Sequence, residues 1–407
     1  MLPVREALDR ILHVIEPLGC ERVGLFDAVG RVLGEPVTSL RDVPNCANSA
    51  MDGYAVRHAD LSRVPARLQV ATTIAAGRLD IPSLSPGTAI RIMTGAPVPH
   101  DADTVVRVED TKPEGDHVVV EIAPQSGANI RLAGEDVRVG DTILERGRRL
   151  VPADLGLAAS AGRTLLLVHR RPRVAILSTG DELVEADQPV QPGQVVNTNA
   201  YVLAAAVAEA GGIPAPLPIA RDTRDDIRTA FLEAARADAI LSTGGVSVGD
   251  FDYVKDVMDE IGVTRSFWKV AQKPGKPLTF GTLAGRPYFG LPGNPVSSLV
   301  CFYLYARPAL RRMLGLAALH FPTIEATLAH DLRKSEGLTE FVRCRLERRE
   351  EEWIASTTGT QGSHVLSSMS LGSGLVVAQP NGTSLAAGTK VTVIRLETDT
   401  GSVVPPF

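Results

Sequence analysis

Arg173-Val174-Ala175-Ile176-Leu177-Ser178-Thr179-Gly180-Asp181-Glu182 is an apolar run that ends in Ser-Thr-Gly and opens onto carboxylates. The stretch Ile240-Leu241-Ser242-Thr243-Gly244-Gly245-Val246-Ser247-Val248-Gly249-Asp250-Phe251-Asp252 repeats that plan. Near-continuous apolar runs of this length read as buried parallel strands. Ser-Thr-Gly directly after such a strand supplies hydroxyls, free backbone N–H groups and a residue that tolerates positive φ. In a doubly wound sheet, ligands bind at those carboxyl ends. Phosphates suit the Gly, Ser and Thr groups, whereas Asp181, Glu182, Asp250 and Asp252 would repel them unless a hard cation or basic ligand atoms sat between. The repeat therefore predicts a phosphoryl or nucleotide site that uses Mg²⁺.

Outward from the repeat, strand and helix patterns alternate between Arg170 and Leu316: helices over Ala200 to Ala210 and Arg224 to Ala235, strands over Pro214 to Ile219 and Arg286 to Leu291, and a long helix from Pro295 to Met313. Alternation of this kind predicts an α/β domain with a mainly parallel sheet. Upstream, Ala89 to Met93, Thr104 to Val108 and His117 to Glu121 are strand-like and separated by Gly and Pro turns. Downstream, Glu340 to Leu346 and Lys390 to Leu396, with turn signals at Asn381-Gly382 and Ala387-Gly388, predict a small β-barrel or sandwich. Val4 to Pro17 reads as an amphipathic helix, a second helix is expected near Arg31-Val32-Leu33, and a third over Ala153 to Ala161. The predicted fold class is multidomain α/β: a central doubly wound domain at 170–318, a β-rich insertion at 41–136, a mixed scaffold from 1–40 and 137–169, and a C-terminal β-barrel at 319–407.

Composition agrees with several domains, since 407 residues exceed one ordinary core and suggest about two to four. A net charge of −5 argues against nucleic-acid binding by the whole molecule, although it leaves room for a local basic pocket. The four cysteines, Cys20, Cys46, Cys301 and Cys344, are far apart, and neither a disulfide framework nor a zinc site is indicated. No signal-peptide pattern opens the chain, and charges, Gly and Pro break every apolar stretch before membrane-spanning length. A cytoplasmic protein without membrane partners is expected.

Other segments carry two readings each. Leu291-Pro292-Gly293-Asn294-Pro295-Val296-Ser297-Ser298 makes a good helix start, with Asn294 as cap and Pro295 as first helical residue, and its N–H groups also make an anion site. Lys269, Lys273 and Lys276 could be solvated; prolines stiffen the loop and favour contact with a pyrophosphate. Asn48 to Ala55, Thr94-Gly95-Ala96-Pro97 and Gly134-Glu135-Asp136 read as turns with a carboxylate or hydroxyl. Asn197-Thr198-Asn199 is suited to capping a helix, and Asp222 either faces the same crevice or begins the next helix. Arg343 and Ser363 are not distinguished from their neighbours by pattern.

In order, NSAMDGYA (48–55), RIMTGAPVP (91–99), GEDVRVGD (134–141), ILSTGDEL (176–183), STGGVSVGDFDY (242–253), KPGKP (273–277) and LPGNPVSS (291–298) resemble the motif series of the molybdopterin molybdenumtransferases, relatives of the C-terminal domain of gephyrin. QGSHVLSSMSLGSG (361–374) extends the resemblance, with Ser373 where Asn is common. The resemblance implies insertion of molybdate into adenylylated molybdopterin with release of AMP, Mg²⁺ as cofactor, and a homodimer, formed through the scaffold region, whose cleft draws on both subunits. It also implies contacts with the enzymes that make molybdopterin and with the apo-molybdoenzymes that receive the cofactor. Carried over by motif, it implies catalytic roles for Asp52, Thr94, Asp136, Glu182, Asp222, Asp252, Lys269 and Lys273, with Glu182 and Asp252 toward the metal or the pterin. Substrate contacts are implied for Ser178, Thr179, Gly180, Asp181, Ser242, Thr243, Gly244, Gly245, Ser247, Asp250, Lys276, Pro292, Gly293, Asn294, Ser297, Arg343 and Ser363, the last two toward molybdate.

Two rivals remain at this level. A molybdopterin adenylyltransferase resembles the α/β domain, but it has a Gly-Thr-Gly turn where this chain has GGVSVGDFDY, and the flanking domains would be surplus. A gephyrin-like scaffold that binds a receptor segment would leave the polar cleft unexplained.

Overall fold

The computed structural model describes residues 1–244 and 253–396. The chain forms two compact units, one from Met1–Glu21 and the chain from His169 onward, the other from Arg22–Val168.

In the first unit, six strands form one sheet in the order Ile213–Pro216, Arg173–Ser178, Ala239–Thr243, Arg286–Leu291, Thr279–Leu283, Thr264–Trp268. The first four are parallel, and the last two are added antiparallel. Their residues alternate between two apolar clusters. Val174, Ile176, Ala239, Leu241 and Phe289 face one cluster with the helices Thr198–Glu209 and Pro295–Cys301, while Ala175, Leu177, Ile240 and Tyr288 face another with the helices Arg224–Ala234 and Tyr253–Glu260. Burial on both faces is why the strands read as unbroken apolar runs. Ala7, Ile11 and Ile15, from the helix Val4–His13 and the turn after it, pack into the first cluster. The long helix expected from Pro295 to Met313 is continuous, but its middle, Phe302–Ala306, is a π-helical turn.

The C-terminal part closes as a five-stranded barrel. Thr339–Arg349 pairs with Glu352–Thr357 and with Gly374–Ala378, Glu352–Thr357 with Thr323–Leu328, and Thr323–Leu328 with Lys390–Arg395, which returns to Gly374–Ala378. Gly382 and Gly388 take positive φ, as their turn signals predict. Ser373, at the position where the family pattern commonly has Asn, accepts the Leu346 N–H through its hydroxyl at 2.8 Å. The two-residue strand Gln272–Lys273 adds alongside Thr339–Glu340 and ties the α/β sheet to the barrel.

The second unit holds a six-stranded sheet in the order Thr104–Arg107, Gly53–Val56, Thr88–Ile92, Ala66–Ile74, His117–Val120, Thr111–Glu114. A separate apolar cluster joins Ala28, Leu33 and Val37 to Leu144, Leu150, Ala158 and Val168. One local expectation is corrected here: Arg31-Val32-Leu33 is not helical. Val32 bridges Arg149 and Leu33 bridges Val168, both in extended backbone. Gly30 and Gly34 bracket three residues, too few for a helical turn, and both apolar side chains are buried by the extended arrangement.

Candidate functional site

The strand Arg173–Ser178 is flanked by Ile213–Pro216 on one side and Ala239–Thr243 on the other. The chain therefore leaves the first strand in one direction and returns on its opposite side, which makes the gap between the two Ser-Thr-Gly turns the topological switch point, where a parallel sheet opens a crevice. The two turns are bonded directly, with the Thr179 N–H donating to Thr243 O at 3.2 Å and the Ser178 and Thr243 hydroxyls 3.3 Å apart. Gly180 has φ +149° and Gly244 φ +87°. A β-carbon on Gly244 would lie 2.7 Å from Thr179 O, and one on Gly180 would lie 2.5 Å from a Glu182 carboxylate oxygen. At Gly244 only glycine lets the two turns approach this closely, whereas a β-carbon on Gly180 would meet the movable end of the Glu182 side chain.

A cavity of about 730 Å³ opens there. Thr179, Glu182, Thr243 and Gly244 line it from the strand ends, Pro292, Gly293 and Asn294 from the turn after the fourth strand, and His364 and Leu366 from the barrel. Asn197, Thr198 and Asn199 complete one wall. Among the described residues, Thr179 Oγ1 and Asn199 Oδ1 are buried with no hydrogen-bond partner. Glu182 is the one carboxylate among the described residues that line this cavity.

Other candidate side chains support the cleft from behind. The Ser242 hydroxyl bonds the Tyr288 hydroxyl at 2.8 Å, and with Ser178 it is buried, so these groups hold strands together. Asp181 and Asp222 brace one turn reciprocally: the Asp181 N–H donates to Asp222 Oδ2 at 3.4 Å and the Asp222 N–H to Asp181 Oδ1 at 3.2 Å. Thr223 rather than Asp222 caps the following helix, its hydroxyl accepting the Asp226 N–H. Asn197 and Asn294 occupy N-cap positions without capping through their side chains. Asn294 Nδ2 donates instead to the Ser363 hydroxyl at 3.0 Å, and the Val296 N–H donates to Ser363 O at 3.1 Å, which fastens the barrel to the helix start. Ser297 is buried in the first turn of the helix.

Arg343 is 1% exposed. Its guanidinium donates to Ser368 Oγ at 3.0 Å and to the carbonyls of Thr360, Gln361 and Gly362 at 3.0–3.4 Å. Four of its five N–H groups are thereby committed, three of them to the stretch 360–362 that leads into Ser363 and one to Ser368 in the short helix after it.

The three lysines follow the strand Thr264–Trp268. Lys269, with φ +78°, stacks its ammonium over Trp268 at 4.6 Å from the ring centre. Lys273 pairs with the buried Glu340 at 3.2 Å, and Lys276 is exposed with no partner among the described residues. None of the three lines the cavity, but Pro277, next to Lys276, does. Gly245, Ser247, Asp250 and Asp252 lie outside the described residues.

Asp52, Thr94 and Asp136 belong to the second unit. There the first two motifs are joined: the Ser49 N–H donates to Ala96 O, and Asp52 Oδ1 accepts both the Thr94 N–H at 2.7 Å and the Thr94 hydroxyl at 2.8 Å. These two bonds, the backbone one foremost, hold the Asp52 carboxyl below its ordinary pKa. A depressed pKa stabilises the fold above the unfolded-state value, and that contribution is lost as pH falls through the folded one. Thr94→Val should therefore raise the Asp52 midpoint toward the usual carboxylate value in a carboxyl-carbon NMR titration; an unmoved midpoint would contradict this assignment. Asp136 is exposed, with its N–H donating to Val43 O.

Among the described residues, no group of three or more His, Cys, Asp or Glu side chains could hold a metal by itself. Mg²⁺ asks for less, because with a phosphate substrate it takes one or two carboxylates and keeps several waters. Glu182 fits as one such ligand.

Asn199, His364 and Leu366 line the cavity although pattern alone did not mark them as ligand contacts; for the last two, the signal was the 361–374 motif, and for Asn199 a second asparagine after the cap.

A crevice at the switch point of a parallel sheet, with a barrel closing one side, places the chain among α/β proteins whose ligand site lies at the strand ends. Its segments match three family models: the MoeA N-terminal region (domain I and II) over residues 2–162, the probable molybdopterin binding domain over 175–312, and the MoeA C-terminal region (domain IV) over 325–396. It is 40% identical to the molybdopterin molybdenumtransferase of Nostoc sp. over 84% of this chain and 81% of that one. It is 41% identical to molybdopterin molybdenumtransferase 2 of Mycobacterium tuberculosis over 91% and 94%. Two crystal structures of the molybdopterin biosynthesis MoeA protein of Pyrococcus horikoshii superpose with TM-scores of 0.85 and 0.80 at 29% and 30% identity, covering 98% and 97% of this chain and 99% of each. The chain belongs to the molybdopterin molybdenumtransferase family, transferase enzymes of molybdenum-cofactor synthesis. No helix among the described residues is long and apolar enough to cross a membrane.

Proposed function

We propose that this protein inserts molybdate into adenylylated molybdopterin and releases AMP, with Mg²⁺ as cofactor. The observation that carries this is the meeting of two Ser-Thr-Gly turns, one carboxylate and the Gly293-Asn294 turn around a single cavity of about 730 Å³. Thr179, Thr243 and the Gly244 and Gly293 backbone hold the phosphates and the ribose, and Lys276, with Lys273, meets the pyrophosphate from the adjoining loop. Glu182 holds Mg²⁺, which neutralises phosphate charge when bound. Asn199 and Glu182 accept hydrogen bonds from the pterin's amino and ring N–H groups. Cleavage consumes one water: the P–O–P bridge breaks, AMP leaves with one phosphate, and molybdopterin keeps the other. Molybdate forms two Mo–S bonds to the dithiolene, and the oxygen ligand it gives up leaves as water with the two thiol protons. Arg343 serves by fixing the Ser363 loop against the helix start. We also propose a cytoplasmic homodimer whose cleft draws on both subunits and which contacts the enzymes of molybdopterin synthesis and the recipient apo-molybdoenzymes.

Purified protein supplied with adenylylated molybdopterin, Mg²⁺ and molybdate should release AMP in step with formation of active cofactor, and omission of molybdate should suppress the coupled product. Tight substrate binding without AMP or cofactor would overturn the proposal.

A further inference from the structure

Beneath the lysine loop lies a polar cluster sealed from solvent. Gln272 is fully buried (0% exposed), as are Cys301 and Tyr305. The Gln272 amide donates from Nε2 to Pro274 O at 3.1 Å and to Gly275 O at 3.3 Å, and its Oε1 accepts from the Tyr305 hydroxyl. Both ends of the amide are thus oriented by their partners, with the nitrogen toward carbonyls and the oxygen toward a hydroxyl. Cys301 Sγ sits 3.4 Å from the same Nε2 and 3.5 Å from Gly275 O. Gly275 has φ +92°, and a β-carbon there would lie 2.4 Å from Cys301 Sγ and 2.8 Å from Gln272 Nε2. Tyr305 comes from the π-helical turn Phe302–Ala306 within the otherwise α-helical run to Met313.

Burying an amide, a thiol and a phenol in an apolar core costs stability unless every group is paired. Leu, Met and Phe would fill this space without that cost. Here the pairing ends on the carbonyls of Pro274 and Gly275, the two residues between Lys273 and Lys276. The network has the form expected of a device that fixes loop backbone from below while leaving the exposed Lys276 ammonium free above it, Lys273 being held by Glu340. A π turn inserted into a long helix often marks such a functional position.

We infer that Gln272 and Tyr305 are positioning residues that set the placement of Lys276, and with it the affinity of the cleft for the pyrophosphate of the substrate. The inference rests on the proposed role of the lysine loop as an anion contact. Without the Tyr305 hydroxyl, Gln272 Oε1 is left unpaired, the amide loses its fixed orientation, and the loop carbonyls are released.

The test is a double-mutant cycle read by calorimetric titration of inorganic pyrophosphate in the presence of Mg²⁺, on the full chain, with Tyr305→Phe and Lys276→Ala. Tyr305→Phe should weaken binding about tenfold in the wild-type background, the scale of one hydrogen bond, and by less than about twofold when Lys276 is already alanine. A purely structural role would weaken both backgrounds equally. If Lys276→Ala alone leaves binding unchanged, the lysine-loop assignment fails and this inference falls with it. If Lys276→Ala weakens binding but Tyr305→Phe does not, or does so equally in both backgrounds, the inference alone is overturned. Should Tyr305→Phe fold poorly, Gln272→Met combined with Tyr305→Phe removes both partners of their shared bond; Gly275 O keeps Cys301, and the Pro274 carbonyl alone loses its side-chain donor. That double variant should fold and show the same weakened binding, and wild-type affinity in it would overturn the inference.

Discussion

Glu182→Gln is expected to lower kcat/KM about 100-fold, the upper end of what loss of a metal-site carboxylate contact costs, with little change in thermal stability. The side chain is exposed at the cavity and lies over Gly180, so the isosteric amide fits the same space. What changes is charge. A carboxylate facing a pyrophosphate repels it unless a cation lies between, so the sign of the effect on binding should depend on Mg²⁺. With Mg²⁺ present the wild-type protein should bind substrate more tightly than Glu182→Gln; with the metal chelated, Glu182→Gln should bind at least as tightly as wild type. Turnover within twofold of wild type, or the same ratio of affinities with and without Mg²⁺, would remove Glu182 from the site.

Arg343→Met should destabilise the protein by about 3 kcal/mol, which for a unit of this size lowers Tm on the order of 10 °C. Three carbonyls, those of Thr360, Gln361 and Gly362, and the Ser368 hydroxyl lose a charged donor inside the barrel. Lysine should not restore stability, since one ammonium cannot reach partners arranged for a guanidinium fork. The loop so released carries Ser363, whose hydroxyl and carbonyl bind Asn294 and the Val296 N–H, so activity should fall together with stability. A variant with unchanged Tm and a selective loss of molybdate dependence would instead give Arg343 a direct part in binding the oxyanion.

The two Ser-Thr-Gly turns were legible in the sequence because their requirements are local. An apolar strand buried on both faces leaves an unbroken run, and a chain turning with positive φ leaves a glycine. The long helix after Asn294 was legible for the same reason, since Pro295 and the apolar run that follows report on backbone and burial together. Arg343 was not, because its partners lie 17 to 25 residues away across a barrel strand and nothing near it in sequence signals them. Gln272 and Tyr305 were hidden in a different way. A glutamine beside lysines and prolines reads as a solvated loop, and only the packing of the helix beneath it reveals an enclosed amide. Ser178 and Ser242 show the converse, hydroxyls expected at a ligand that in fact bond to neighbouring strands. The helix expected near Val32 failed because an arginine and two apolar residues between glycines are too few for a helical turn and fit a bridged, extended segment, and the partners that decide the matter, Arg149 and Val168, are more than a hundred residues distant.

The central claim is that the crevice between the two Ser-Thr-Gly turns is where the nucleotide-linked pterin sits. A crystal structure of the protein with adenylylated molybdopterin and Mg²⁺ tests it most directly. The expected result is ligand density filling the cavity, with phosphate oxygens within hydrogen-bonding reach of Thr179, Thr243 or the Gly244 and Gly293 backbone and the metal at Glu182. Substrate bound elsewhere on the molecule, with this crevice holding only water, would contradict it.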